Sequence, residues 1–194
     1  MRFFLFVLTF CASTWALASE PIAGLLHKDS TGIYMQVSMQ GPKFKIVTSA
    51  PDVAENLRKL SHGDFVTGNA DLDFDKAEMN LESIDYVGIK RLLGTWYSPE
   101  GMFEVKTFDR LSFYPHSQLG FSKEKSYAAV STPQEFHYSM SPTEGKEWVL
   151  FLSNNKSTTF ATIQITRGKA RLKMYDSETG VVTKTLRLIK WGSQ

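Results

Sequence analysis

Short runs in which apolar and polar residues alternate, each ended by turn residues, follow one another along most of this 194-residue chain. In one early run Ile33, Met35 and Val37 fall on one face, and the turn-forming stretches 29–32 and 40–42 bound it. Alternation with a period of two is typical of a strand with one buried face, and clusters of Gly, Pro, Asn and Asp are typical of turns. The chain is therefore predicted to be mainly β.

One stretch near the start has a helical period instead. Val53, Leu57 and Leu60 stand at positions i, i+4 and i+7, which places them on one face of a helix. Two further alternating runs, 65–74 and 79–87, follow this helix and are predicted to be strands. The first part of the chain thus has the predicted order β-β-β-α-β-β.

That order over residues 20–88 resembles the OB-fold, a small Greek-key barrel. Gly24 and the pair Gly63-Asp64 stand where small periplasmic OB-fold proteins have residues that serve the barrel bends. The resemblance implies an OB-like five-stranded barrel with one short helix. OB-folds bind oligonucleotides through aromatic and basic residues, but a formal net charge of +2 gives this chain no extended field for a polyanion. Nucleic acid is therefore not expected as a partner.

The second part of the chain has many aromatic and β-branched runs and no helical period. The candidate strands are 92–98, 102–108, 111–115, 125–131, 135–140, 147–153, 158–166, 169–175 and 181–190. Short turns join most neighbours at hairpin distances. Because a closed antiparallel barrel leaves no free strand edge, an up-and-down β-barrel is the natural architecture for such a series.

This second segment begins with Gly94-Thr95-Trp96 and resembles the lipocalin and fatty-acid-binding superfamily, in which a Gly-x-Trp opens the first strand. The resemblance implies that Trp96 caps the closed end of a lipocalin-like barrel. It also implies that a cation from the last strand packs over the indole as a structural plug. Arg187 is the first candidate for that cation and Lys190 the second.

Alternate residues of barrel strands point inward, which predicts the interior of the second barrel. The predicted interior positions include Phe103, Val105, Phe113, Phe136, Tyr138, Leu150, Leu152, Phe160, Ile163, Ile165, Leu172, Met174 and Leu186. Phe113, Tyr138, Trp148 and Phe160 are the candidate lining for a small apolar ligand. In the alternative interpretation, side chains fill both barrels and the protein binds an envelope protein through loops such as 116–122.

Residues 1–18 have the features of a signal peptide. A basic start, the apolar run 3–10 and the small-x-small triplet 16–18 predict cleavage before Ser19. No later apolar run approaches the roughly 20 residues of a membrane-spanning helix, so no stable membrane span is expected. The sole cysteine, Cys11, lies in the signal peptide, which leaves no disulfide after cleavage. We expect a soluble periplasmic or secreted protein.

The sequence contains no His-x-x-x-His, no His-Glu-x-x-His and no Gly-x-Ser-x-Gly motif. We therefore predict no catalytic residues, no metal ligands and no cofactor, and we do not expect an enzyme. The predicted organisation is a signal peptide (1–18), an OB-like barrel (19–88) and a lipocalin-like barrel (89–194). The predicted function is that of a cell-envelope binding protein, which holds a small apolar ligand or senses the state of the envelope.

Overall fold

A computed structural model describes residues 19–38, 40–116 and 132–192. The first segment contains β1 (Glu20–Asp29), β2 (Gly32–Gln36), β3 (Lys43–Val47), α1 (Pro51–Lys59), β4 (Phe65–Asp73), β5 (Glu78–Leu81) and β6 (Tyr86–Gly88). A 3-10 turn, Lys90–Leu92, then leads into the second segment. The second segment contains β7 (Gly94–Ser98), β8 (Gly101–Val105), β9 (Arg110–Pro115), β10 (Gln134–Pro142), β11 (Trp148–Ser153), β12 (Thr158–Thr166), β13 (Lys169–Tyr175) and β14 (Val182–Lys190).

The first segment forms a closed five-stranded barrel in the order β1-β2-β3-β5-β4, and β1 pairs with β4 to close it. The pairing of β3 with β5 is parallel, whereas the other pairings are antiparallel. Strand β1 pairs with β4 through its first half and with β2 through its second half. Gly24 lies at this change of partner, where a Cβ atom would come within 2.6 Å of the Gln36 carbonyl oxygen. The barrel therefore requires glycine at this position.

The predicted strand 79–87 is two strands in the structure. The backbone nitrogens of Glu82 and Ser83 both donate to the carbonyl oxygen of Asn69, at 2.9 and 3.4 Å. These bonds turn the chain out of the β5 ladder. The short β6 then pairs with a different part of β4, next to Phe65 and Val66. The extra strand extends the sheet beyond the barrel.

Helix α1 covers one end of the first barrel. Val53 and Leu57 are its buried residues, as the helical period predicts. The Nζ of Lys28 donates to the carbonyl oxygens of Leu57 and Leu60, each at 2.5 Å. Because the last carbonyls of a helix have no partner within it, Lys28 satisfies the end of α1 from the barrel side. No helix in the described part of the chain is long and apolar enough to cross a membrane.

The second segment forms a closed antiparallel barrel of eight strands, in which every strand from β7 to β14 pairs with the next and β14 pairs with β7. The prediction of a mainly β chain with two successive barrels is thus confirmed. The first barrel is consistent with an OB-like fold, and the second is consistent with a lipocalin-like fold. The segment 117–131 joins β9 to β10, so the predicted strand 125–131 lies outside the described residues, as do the predicted signal peptide and most of the loop 116–122.

The hairpin between β8 and β9 contacts the first barrel. Its Phe108 ring stacks on Phe65 of the first barrel at 5.7 Å between centroids. Phe108 also fills the space over Gly88, where a Cβ would meet the ring at 2.6 Å. The hydroxyl of Tyr86 donates to the carbonyl oxygen of Phe108, and burial raises the pKa of Tyr86 to about 12. We call this end of the second barrel the proximal end, and the opposite end the distal mouth.

A buried carboxylate ties the first barrel to the connecting turn. Asp64 is 1% exposed. Its Oδ2 accepts a hydrogen bond from the backbone nitrogen of Ser61, and its Oδ1 accepts one from that of Lys90, both at 2.7 Å. Burial raises the pKa of Asp64, and these two hydrogen bonds oppose part of that rise. The start of the 3-10 turn is therefore held by a side chain of the first barrel.

Candidate functional site

A tryptophan closes the proximal end of the second barrel. Trp96 is 1% exposed, and its Nε1 donates to the carbonyl oxygen of Leu92 at 2.7 Å. The Nζ of Lys190 lies 5.5 Å from the centroid of the Trp96 ring and donates to the carbonyl oxygen of Arg91 at 2.8 Å. Burial lowers the pKa of Lys190, and the indole face attracts the cation. Lys190, the second candidate of the sequence analysis, is thus the cation over Trp96.

Arg187 lies on the outer face of β14 instead. Its neighbours Leu186 and Leu188 are buried in the barrel, so the period of two places Arg187 outside and Lys190 inside. The predicted plug of Trp96 with Arg187 is therefore corrected to Trp96 with Lys190. The alternation of the two leucines around Arg187 is the sequence signal that would have identified Lys190.

Two of the four predicted lining residues are buried inside the barrel. Tyr138 and Trp148 face the interior and are only 4% and 3% exposed. The hydroxyl of Tyr138 donates to the carbonyl oxygen of Thr107 at 2.8 Å, and burial raises the pKa of Tyr138. Leu150 and Leu152, on the strand beside Tyr138, are also buried. Buried side chains therefore fill the interior along the whole of β11, from Trp148 to Leu152.

The prediction that Phe160 faces the interior is wrong, because its side chain lies on the outer face of β12. The buried residues of this strand are Ala161, Ile163 and Ile165, which have the opposite parity. The Phe160 ring packs outside against Phe151, with 5.4 Å between centroids. Phe160 therefore cannot line the interior of the barrel.

The fourth predicted residue, Phe113, belongs to an apolar ring at the distal mouth. Phe103, Phe113, Phe136 and Met174 come from four different strands and are all half-buried. The Phe103 and Phe113 rings are 4.6 Å apart between centroids. The register places these side chains on the interior face, since Phe103 pairs with Phe113 and Phe136 pairs with buried Leu111. The sequence analysis predicted all four as interior residues, and the structure places all four on the interior face, with Phe103 and Phe113 in ring contact.

Charged and polar groups surround this apolar ring. Lys184 pairs with Met174 across β13 and β14, and it forms a salt bridge with Glu100. The backbone nitrogen of His116 donates to the carbonyl oxygen of Glu100 at 3.0 Å. The Nε2 of His116 lies 3.0 Å from the carbonyl oxygen of Ser98. The distal mouth thus combines apolar side chains with nearby charged and polar groups, as is common in sites for small organic ligands.

A groove of about 540 Å³ lies between the two barrels. Lys59, one of its cations, forms a salt bridge with Glu55 at 3.1 Å and donates to the carbonyl oxygen of Thr143 at 2.5 Å. Trp148 lies in the wall of the groove but is buried. The Lys59 cation is therefore used to hold the barrels together, and the distal mouth remains the better candidate site.

The described residues contain no group of three or more His, Cys, Asp or Glu side chains that could hold a metal ion. A scan against protein-family models gives no match. Comparisons with curated proteins and with solved structures likewise give no match.

Proposed function

We propose that this protein is a non-enzymatic binding protein of the cell envelope that takes a small apolar ligand at the distal mouth of its second barrel. The observation that supports this function best is the half-buried ring of Phe103, Phe113, Phe136 and Met174 above a filled interior. Solvent contact of four large apolar groups at one place is costly, and a bound apolar group would relieve that cost.

The filled interior limits the size of the ligand. Because Tyr138 and Leu152 are buried below the ring, a ligand enters the distal end only, as the end of an acyl chain or a comparable group would. At about 25 cal/mol per Å², covering roughly 200 Å² of apolar surface contributes about 5 kcal/mol. Part of this gain is lost when the ligand is ordered. We therefore expect weak binding that exchanges rapidly.

A second candidate function is the recognition of another envelope protein by filled barrels. Phe151, Phe160 and Tyr175 form an aromatic patch on the outer face, with 5.2 Å between the last two ring centroids. Phe151 is 43% exposed. Aromatic residues are enriched at the cores of protein interfaces, so this patch favours a protein partner.

A titration with the neutral probe 1-octanol, followed by two-dimensional NMR of the backbone amides, tests the first function. We expect saturable shifts around Phe103, Phe113 and Phe136. The variant Phe113→Trp overfills the mouth and should weaken octanol binding about fivefold or more, since overpacking costs about 1 to 3 kcal/mol. Phe160→Trp is the matched control, because it adds the same volume outside the barrel, and should leave octanol binding unchanged.

Thermal unfolding of both variants establishes that they fold. The absence of saturable shifts at the mouth, or equal octanol binding by Phe113→Trp and the native protein, would refute the apolar-ligand function. If Phe113→Trp binds octanol as the native protein does, whereas Phe160→Trp binds it differently and the shifts surround Phe151 and Tyr175, the outer patch is the binding surface and the second function is favoured.

A further inference from the structure

Positive charge is concentrated in the last strands of the chain. Residues 148–194 carry eight Lys and Arg but only two acidic residues, Asp176 and Glu178. Residues 1–147 carry fourteen basic and eighteen acidic residues, so the net charge of +2 conceals a strongly uneven distribution. The sequence analysis used only the net charge and therefore missed this segment.

The register of β13 and β14 places several of these cations together. Arg171 pairs directly with Arg187, and Lys169 pairs with Ile189, on the outer face of the barrel. All four side chains are exposed. We call Lys169, Arg171 and Arg187 the basic face. Like charges directly opposite each other on neighbouring strands destabilise a sheet, so this arrangement favours an anion between them.

In the part of the chain that the structure describes, no carboxylate forms a salt bridge with Lys169, Arg171 or Arg187. Glu147 is the nearest counter-charge shown: a hydrogen bond from Lys173 lowers its pKa, and the charge of Arg171 adds to that lowering without a salt bridge. The Nη2 of Arg171 donates to the Oε1 of Gln164 at 2.8 Å, but this amide carries no charge. Gln164 thus orients the guanidinium group of Arg171 and leaves its positive charge in place.

The basic face surrounds a shallow depression of about 370 Å³. Its lining residues are Gln164, Thr166, Lys169, Ala170, Arg171, Arg187, Leu188 and Ile189. None of them is acidic. Guanidinium groups bind phosphate oxygens in a bidentate geometry, so the depression has the charge and the donors for a phosphate group.

Exposed apolar side chains lie directly beside these cations. Ile189 is 59% exposed and Trp191 is 64% exposed. The Trp191 ring rests against Tyr97, with 5.4 Å between centroids. Tyr97 is itself opposite Ile189 in the register of β14 and β7. Tryptophan and tyrosine are enriched at the level of lipid headgroups, where one end of the side chain meets hydrocarbon and the other meets water.

We propose that the basic face, together with Ile189 and Trp191, binds the surface of a bilayer that contains anionic phospholipid. A lipid phosphate lies in the depression between Arg171 and Arg187, and the two apolar side chains enter the headgroup boundary. Nucleic acid would also supply phosphates, but its backbone has no apolar layer to receive an exposed aliphatic residue such as Ile189. The basic face is on the outer side of the strands, away from the distal mouth, so this binding does not depend on the apolar ligand proposed above.

Co-sedimentation with vesicles tests this proposal. The probes are vesicles of equal parts phosphatidylglycerol and phosphatidylcholine, and vesicles of phosphatidylcholine alone. We expect the native protein to bind the anionic vesicles and not the neutral ones. A Lys or Arg near an anionic surface contributes about 1 kcal/mol, which corresponds to about fivefold in affinity. The double variant Arg171→Gln, Arg187→Gln should therefore bind about 25-fold more weakly.

The matched control is the double variant Lys43→Gln, Lys45→Gln, which removes the same charge from two exposed positions of the first barrel. It should bind as the native protein does. Equal losses in the two double variants, or no loss in either, would overturn the proposal. So would stronger binding to a DNA duplex than to the anionic vesicles at the same ionic strength, which would indicate a nucleic-acid surface.

The fluorescence of Trp191 tests the apolar part of the proposal. The difference in emission between the native protein and Trp191→Phe isolates this indole from the other three tryptophans of the chain. We expect its emission to shift to shorter wavelength when anionic vesicles are added. Vesicle binding with no such shift would contradict the entry of Trp191 into the headgroup boundary.

Discussion

Asp64 offers a sharp test of how the first barrel is joined to the second. Its carboxylate is 1% exposed and accepts hydrogen bonds from the backbone nitrogens of Ser61 and Lys90, both at 2.7 Å. The variant Asp64→Ala removes both acceptors at once. Each buried donor left without a partner costs about 1 to 3 kcal/mol. Because two donors are affected and both bonds are only partly buried, we expect the free energy of unfolding to fall by about 2 to 4 kcal/mol.

Equilibrium unfolding in urea, followed by tryptophan fluorescence and circular dichroism, measures this loss. The matched control is Asp75→Ala, because Asp75 is an exposed carboxylate of the same barrel. The control should change the free energy of unfolding by no more than about 0.5 kcal/mol. If Asp64→Ala loses less than about 1 kcal/mol, the two hydrogen bonds only offset the desolvation of the carboxylate, and the reasoning fails.

The raised pKa of Asp64 also predicts how the stability of the protein depends on pH. A carboxyl group whose pKa is higher in the folded state binds its proton more tightly there, so its contribution to stability is present at low pH. That contribution is lost as pH rises from the ordinary Asp value of about 3.9 through the folded pKa. Relative to Asp64→Asn, the native protein should therefore lose stability across this window and then remain level. An opposite slope in the difference between their urea midpoints would show that the hydrogen bonds outweigh burial.

Two further substitutions test the second barrel. Lys190→Met should lower the free energy of unfolding by about 1 to 2 kcal/mol, because it loses the contact with Trp96 and one hydrogen bond. Arg187→Met should change the free energy of unfolding by less than about 0.5 kcal/mol. Equal urea midpoints for the two variants would contradict the assignment of the plug to Lys190. Tyr138→Phe should cost about 1 to 2 kcal/mol because it leaves the carbonyl oxygen of Thr107 without this donor, and a thermal unfolding midpoint equal to that of the native protein would contradict it.

Local sequence patterns were sufficient to predict the type and order of most elements. Alternation and turn residues indicated the strands of both barrels, and the spacing of Val53 and Leu57 indicated helix α1. Gly94-Thr95-Trp96 placed the start of the second barrel and its buried indole correctly. These features are encoded over a few neighbouring residues, because the period of side chains along a strand or helix is a property of the local backbone.

Local patterns were insufficient to decide which of the two faces of a strand is buried. In β12, Phe160 is larger and more apolar than Ala161, yet Ala161 faces the interior. There it lies between Leu150 and Met174 of the adjacent strands, where little space remains. Which face of a strand is buried therefore depends on the volume that distant neighbours leave free.

By itself the sequence determined a mainly β chain of two barrels with one helix and a tryptophan at the closed end of the second. Only the tertiary structure decided that Phe113 packs on Phe103, and that Arg171 stands opposite Arg187. The reason is physical. The period of a strand is local, whereas register between strands and the filling of an interior depend on contacts between residues far apart in the chain.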